Sequence, residues 1–175
     1  MAFAVDNRKS ITMEAKTEAK LVKRAKALTI TLMILGTAML GSVYYSTLIH
    51  FVGATGVHEK IVWIEGHENW QIYIVVAHLL TTTLLYVLGG IFLIRINRNI
   101  SKGVPLPKNN FPVIIAAGVL APFAESYSDT VRNAFAGEFV NALDGTGIFA
   151  MLLLFLFATL YKFASLASED SSLAI

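Results

Sequence analysis

The sequence predicts an all-α integral membrane protein, a four-helix bundle with its N- and C-termini on the cytoplasmic side. Three observations carry this. Of 175 residues, 55% are hydrophobic and 15% charged, against about 25% charged in soluble domains. The apolar residues collect in four runs, over 27–49, 71–94, 111–127 and 147–164. None shows strand alternation, and backbone groups in lipid need internal partners, so the runs are helices. The basic residues are sorted between the connecting segments. Arg8, Lys9, Lys16, Lys20, Lys23, Arg24 and Lys26 precede the first run, Arg95, Arg98, Lys102 and Lys108 lie between the second and third, and Lys162 ends the fourth, together 12 of the 14 Lys and Arg. Only Lys60 and Arg132 fall on the other side, and the positive-inside bias makes the basic side cytoplasmic.

The chain thus divides into a basic cytoplasmic N-terminal helix (1–26), a membrane domain (27–165) and a short cytoplasmic tail (166–175). The net charge of +2 supplies no general basic field, and no direct nucleic-acid binding is expected. The absence of cysteine excludes disulfides, thiol catalysis and thiolate metal sites. A cleavable signal peptide is not expected, because the first apolar run starts near Ala27 and is too long for an h-region.

In the first segment Ser10 reads as a helix N-cap, and Ala15, Ala19 and Ala25 favour helix. Its lysines and arginines have two readings: a positive-inside anchor, or a surface that binds anionic lipid or a cytoplasmic partner. The first span, 27–49, reaches about 35 Å at ~1.5 Å per residue, enough for a core of about 30 Å. Thr37 with Gly41, and Ala38 with Ser42, place small residues four apart, as close helix packing in lipid uses them.

The outer segment 50–71 contains Gly53, Gly56, His50, His58, His67, Glu59, Glu65 and Glu68. The His and Glu side chains could ligate a divalent ion, but no spacing matches a metal motif. The competing reading is a solvated loop in which Val62, Trp63, Ile64 and Trp70 seek the interface. No metal site, cofactor or catalytic residue is assigned.

The second span, 71–94, carries a polar face of Gln71, His78, Thr81 and Thr82. An ionisable group at mid-membrane is a functional candidate; the alternative is a neutral imidazole bonded to a neighbouring helix. No acidic residue lies within any span core to serve as a relay partner. Gly89-Gly90 marks close packing or a weak point. Arg95, Arg98 and Lys102 form a cytoplasmic basic loop over 95–110, where Gly103 stops one helix and Pro105 and Pro107 delay the next until Asn109 or Asn110 caps it.

The third run is the shortest. Pro112 suits a helix start, Pro122 lies near the far end, and the expectation is a short or kinked span, with a re-entrant segment as alternative. Segment 126–146 reads as an acidic outer loop, with Ala134, Phe135, Phe139, Val140 and Leu143 at the spacing of a membrane-surface helix. Glu125, Asp129 and Arg132 have the spacing to pair. The fourth run has no polar side chain from Ile148 to Ala158, so much of it faces lipid.

Arg98-Asn-Ile-Ser-Lys-Gly103, followed by Pro105 and by Asn109-Asn110 leading into an apolar run, resembles the bacterial four-helix membrane family catalogued as domain of unknown function 2975. The chain end is similar too: Phe163-Ala-Ser-Leu166 and Ser168-Glu-Asp170 lead to Leu173-Ala174-Ile175, where the family tends to have Leu-Thr-Ile. The resemblance covers residues 21–175. Leu106-Pro107 departs from the Phe-Thr pair common in that family, as do the weak third span and the long acidic outer loop. The resemblance implies a multi-pass protein of the bacterial inner membrane, in some genomes encoded beside a small helix-turn-helix regulator. It carries over no catalytic residues.

Three functions follow, in order. The first is a regulatory or accessory membrane protein acting through a cytoplasmic partner. The second is a subunit of a small-molecule or proton-linked transporter using the face around His78, within a homo-oligomer that encloses a path. The third, an enzyme or metal protein on the outer His and Glu side chains, lacks a nucleophile–base pair or phosphate loop, and no enzyme is expected.

Overall fold

The computed structural model of the chain describes residues 2–52, 61–100, 102, 106–140 and 145–173. These form α1 (Ala2–Val52), α2 (Glu68–Ile100), α3 (Phe111–Phe135) and α4 (Gly145–Leu173), with a 3-10 turn at Lys108–Asn110. No strand occurs among the described residues. Each helix contains a stretch long and apolar enough to cross a membrane: Lys16–Phe51, Glu68–Ile100, Lys108–Phe135 and Gly145–Ser168. The surface has the polarity of a membrane protein. Leu28, Leu35, Leu84, Leu152, Leu156 and Leu160 are exposed, whereas Gln71, Asn110 and Thr130 are the largest fully buried side chains. In lipid that arrangement leaves apolar groups against hydrocarbon and pairs polar ones inside.

The helices run antiparallel in chain order. Tyr44 and Thr29 of α1 meet Thr83 and Asn97 of α2. Ile74 and Val75 of α2 pack with Val131 of α3, and Ile114 of α3 packs with Ala158 and Tyr161 of α4. No comparable seam joins α1 to α4. The predicted bundle is therefore an open row of four helices. The outer helices explain why. On α1 the sheltered positions 22, 26, 29, 33, 36, 40, 43, 47 and 50 alternate by three and four, a heptad stripe for one neighbour. On α4 the buried positions are Gly147, Ala158, Tyr161 and Ser165, again one stripe. Lipid imposes no hydrophobic penalty on the remaining faces.

Several local expectations are corrected. The first helix begins at Ala2, so Ser10 lies inside it and is not its N-cap. The small pairs of α1 do not serve as its packing face: Thr37, Ala38, Gly41 and Ser42 are exposed, and Gly36 instead lies beside the Tyr86 ring. Gly89 and Gly90 likewise have open space around them, not close packing. Arg95 and Arg98 belong to the helix rather than the loop, because α2 continues to Ile100. Gly103 and Pro105 lie outside the described residues.

The largest difference is at the third span. It runs to Phe135, eight residues beyond the expected end, with Pro122 inside it. The polar group at 125–129 looked like a loop, but Thr130, Val131 and Ala134 bury one face and carry the helix through. The expected surface helix over 134–143 is absent from the described part: Ala134 and Phe135 end α3, and residues 138–140 are irregular. Leu143 lies outside the described residues. Arg132 reaches Asp129 at 3.9 Å with its side chain 81% exposed, and exposed pairs of this kind contribute little to stability.

Close approach holds α4 to α3. A Cβ on Gly147 would lie 2.7 Å from the Cα of Pro122 and 3.3 Å from its carbonyl oxygen, both rigid backbone atoms. Gly147→Ala is expected to cost about 1–3 kcal/mol through overpacking. Gly90→Ala, with open space around it, is expected to change stability far less. Thermal unfolding of both variants in one detergent distinguishes the two sites.

Candidate functional site

The candidate site residues fall into three levels along the helices. At the outer level Gln71, fully buried at the start of α2, acts as a lock. Its Oε1 accepts from the Ile64 N–H at 3.0 Å, and its Nε2 donates to the carbonyls of Val62 at 2.9 Å and Ala134 at 2.7 Å. The segment 61–67 is thereby folded across the helix ends. Ile61 N–H donates to His50 O and Val62 N–H to Phe135 O, both at 3.1 Å. The C-terminus of α3 is shaped to receive it: Glu138 N–H returns to Asn133 O, Gly137 N–H returns to Ala134 O, and Gly137 has φ +79°, which is a Schellman turn. A side chain at Gly137 would also collide with Val62, 2.7 Å away.

Aromatic rings complete this seal. His50 stacks on Phe135 at 4.4 Å, and His67 and Trp70 lie 4.5 and 4.6 Å from Phe139. His50 Nδ1 is 2.7 Å from Ser46 O. The outer histidines are therefore in packing roles. No group of three His, Cys, Asp or Glu side chains suited to a metal occurs among the described residues; Gly53, Gly56, His58, Glu59 and Asp144 lie outside them.

At the middle level the predicted polar face is divided. Gln71 is committed to the outer lock. Thr81 Oγ1 donates within its own helix, 2.8 Å from Ala77 O and 3.1 Å from His78 O, while Thr82 is half-buried. His78 Nδ1 is buried without a hydrogen-bond partner. None of the four lines the groove between α1 and α2, whose walls include Gly36, Thr37, Tyr86, Gly89 and Gly90.

At the inner level the basic residues separate by role. Arg95 donates to the backbone carbonyl of Asn109, tying α2 to the start of α3. Arg98 and Lys102 are exposed. Asn110 does not cap α3 with its side chain; it is fully buried, and its Nδ2 lies 3.3 Å from Phe92 O. Tyr161 of α4 donates to Pro107 O at 3.1 Å, and Lys162 Nζ sits 5.2 Å from the centre of the Phe111 ring. Asn97 Nδ2 joins α2 to α1 through Thr29 Oγ1 at 2.6 Å and Lys26 O at 3.3 Å.

Past that junction α2 has only three more residues, whereas α1 continues back to Ala2. About 20 residues of α1, near 30 Å at ~1.5 Å per residue, extend beyond the helical row. Residues 16–21, 23 and 24 are all exposed, and Lys16, Lys20, Lys23 and Arg24 stand among them. With Arg98 and Lys102 they form one basic, solvent-facing end.

No family model, curated protein or solved structure matches the chain.

Sequence reasoning found the basic residues but missed the polar junctions of Gln71, Asn97 with Thr29, Tyr44 with Thr83, and Asn110. The available signal was an amide at the edge of an apolar run, where a buried polar group needs a partner. Gln71→Leu removes three hydrogen bonds worth about 1 kcal/mol each and orphans their partners, so a loss of about 2–4 kcal/mol is expected. Lower thermal stability in detergent, with faster limited proteolysis within 61–67, is the expected outcome.

Proposed function

We propose that this chain is a small multi-pass protein of the bacterial inner membrane, regulatory or accessory in role, that acts through a cytoplasmic partner. The observation that carries this reading is the basic extension of α1, about 30 Å of helix past the end of α2 with no helix among the described residues packed along it. A lone helix of this length is marginal in water, so a bound partner also stabilises it. Its continuity with the first span favours a protein partner over a helix lying flat on lipid. The charge asymmetry supports cytoplasmic termini. The resemblance to the domain of unknown function 2975 family supports the bacterial inner membrane, and it makes a small regulator a natural partner.

Photo-crosslinking in cells from Lys16 and Lys20 tests this reading. A discrete adduct with a soluble protein is expected at both positions and not at lipid-facing Leu156. Adducts to lipid alone, or none, would overturn it. Deleting residues 2–15 while keeping the crosslinker at Lys20 is expected to weaken the adduct several-fold.

One atom favours a second reading. The unpartnered Nδ1 of His78, buried within a span, suits a proton-linked transporter subunit. Proteoliposomes with an internal pH dye would then show proton flux that His78→Ala abolishes; equal flux from both proteins removes this reading.

A further inference from the structure

The α1–α2 seam is closed at two levels and open between them. Outward, the Tyr44 hydroxyl meets Thr83 Oγ1 at 2.8 Å. Inward, Asn97 meets Thr29. Between these junctions the facing positions include Gly36, Gly89 and Gly90, and a groove of about 590 Å³ remains. Its other walls are mostly aliphatic, among them Leu32, Leu40, Leu85 and Leu93, with Thr37 and Tyr86 as the polar members. A Cβ added at Gly89 or Gly90 would meet nothing within 4 Å, so the space beside these two glycines is open.

The groove has a polarity along its length. It spans nine residues of α1, from Leu32 to Leu40, or about 13 Å, close to the ~15 Å depth of one leaflet of a ~30 Å core. Its outer end stops at the Tyr44–Thr83 junction. Its inner end stops at the Asn97–Thr29 junction, and cations follow just beyond it. On α2, Val87, Gly90 and Ile94 are spaced as one face, and Arg98 follows four residues after Ile94, exposed. On α1, Lys26 lies seven residues inward of Met33 on the same face. An apolar slot one leaflet deep, with two cations at its mouth, is complementary to an anionic amphiphile.

We infer that the α1–α2 groove seats an acyl chain of an anionic phospholipid, with its phosphate held by Arg98 and Lys26. The lipid belongs to the leaflet on the side of the basic helix ends. It fills hydrocarbon-accessible space between two helices that otherwise meet at the polar junctions and where Gly36 lies beside the Tyr86 ring, and so holds α1 against the row. Arg95 is committed to Asn109 and does not contribute. The inference uses the placement of the chain in a bilayer but not the cytoplasmic partner, so a failed crosslink at Lys16 and Lys20 leaves it standing.

Native mass spectrometry of the full chain released from mild detergent tests it, with phosphatidylglycerol and phosphatidylcholine of identical acyl chains as probes. One phosphatidylglycerol per chain is expected to be retained in preference to phosphatidylcholine. Arg98→Gln, which leaves the groove intact, is expected to lower retention about fivefold, the worth of one cation near a lipid headgroup. Gly90→Leu fills the groove and is expected to reduce retention of both lipids, while Gly41→Leu, on an exposed and open position of α1, leaves it unchanged. Equal retention of the two lipids, or insensitivity to both Arg98→Gln and Gly90→Leu, overturns the inference. A wild-type dimer that Gly90→Leu disrupts also overturns it, because a second copy then occupies the groove.

Discussion

The structure depends on one constraint: a polar group inside a membrane has to find its partner in the chain itself. Burial of leucine against leucine separates nothing from water here, so the apolar faces choose no particular neighbour. The choice falls to a few polar junctions. Gln71 binds the start of α2 to the end of α3 across 63 residues of sequence. Asn97 with Thr29, and Tyr44 with Thr83, bind α1 to α2. Asn110 and Tyr161 gather α2, α3 and α4 at the other end. Removing a partner of the buried amides Gln71 or Asn110 leaves a desolvated polar group, which costs more than the hydrogen bond contributed.

These junctions make the two ends of the molecule different. The outer end is sealed, with the 61–67 segment bonded to α1 and α3 and covered by the rings of Phe135 and Phe139. Histidines that looked like ligands in the sequence are ring partners there. The inner end is fastened at Arg95, Asn97 and Asn110, yet leaves Arg98, Lys102 and the long basic stretch of α1 exposed. Exposed basic charge among the described residues is concentrated at that end. A sealed end and an open charged end suit a protein whose contacts are made on one side.

How much of this was legible in the sequence follows from what each feature depends on. The four spans were legible because hydropathy is a property of composition along one segment. The start of α3 was legible from Pro112, but its end was not. Glu125, Ser126, Ser128 and Asp129 resemble a loop until one sees that Thr130, Val131 and Ala134 bury a face against neighbours. The open row was not legible, because a closed bundle and a row present the same apolar runs. Gln71 was noticed as polar and assigned to the wrong company: its partners at Val62 and Ala134 are backbone carbonyls, which carry no signature in side-chain pattern. Of the two readings of the α2 glycines, close packing or a weak point, the first fails, since a Cβ at either would meet open space: small residues permit approach without requiring it.

The heptad stripe of α1 links the membrane part to the exposed end. Positions 29, 33, 36, 40, 43 and 47 of that stripe face α2, with the groove opening where Gly36 and the α2 glycines remove side chains. The same spacing continues inward through Lys26 and Val22 to Ala19, where α2 has already ended and Ala19 is exposed. A helix that changes neighbours without changing its face transmits displacement along a rigid axis, because no glycine or proline interrupts it before Gly36. The packing of α1 on α2 therefore sets how the inner stretch is presented. The groove lies between the two polar junctions that fasten α1 to α2.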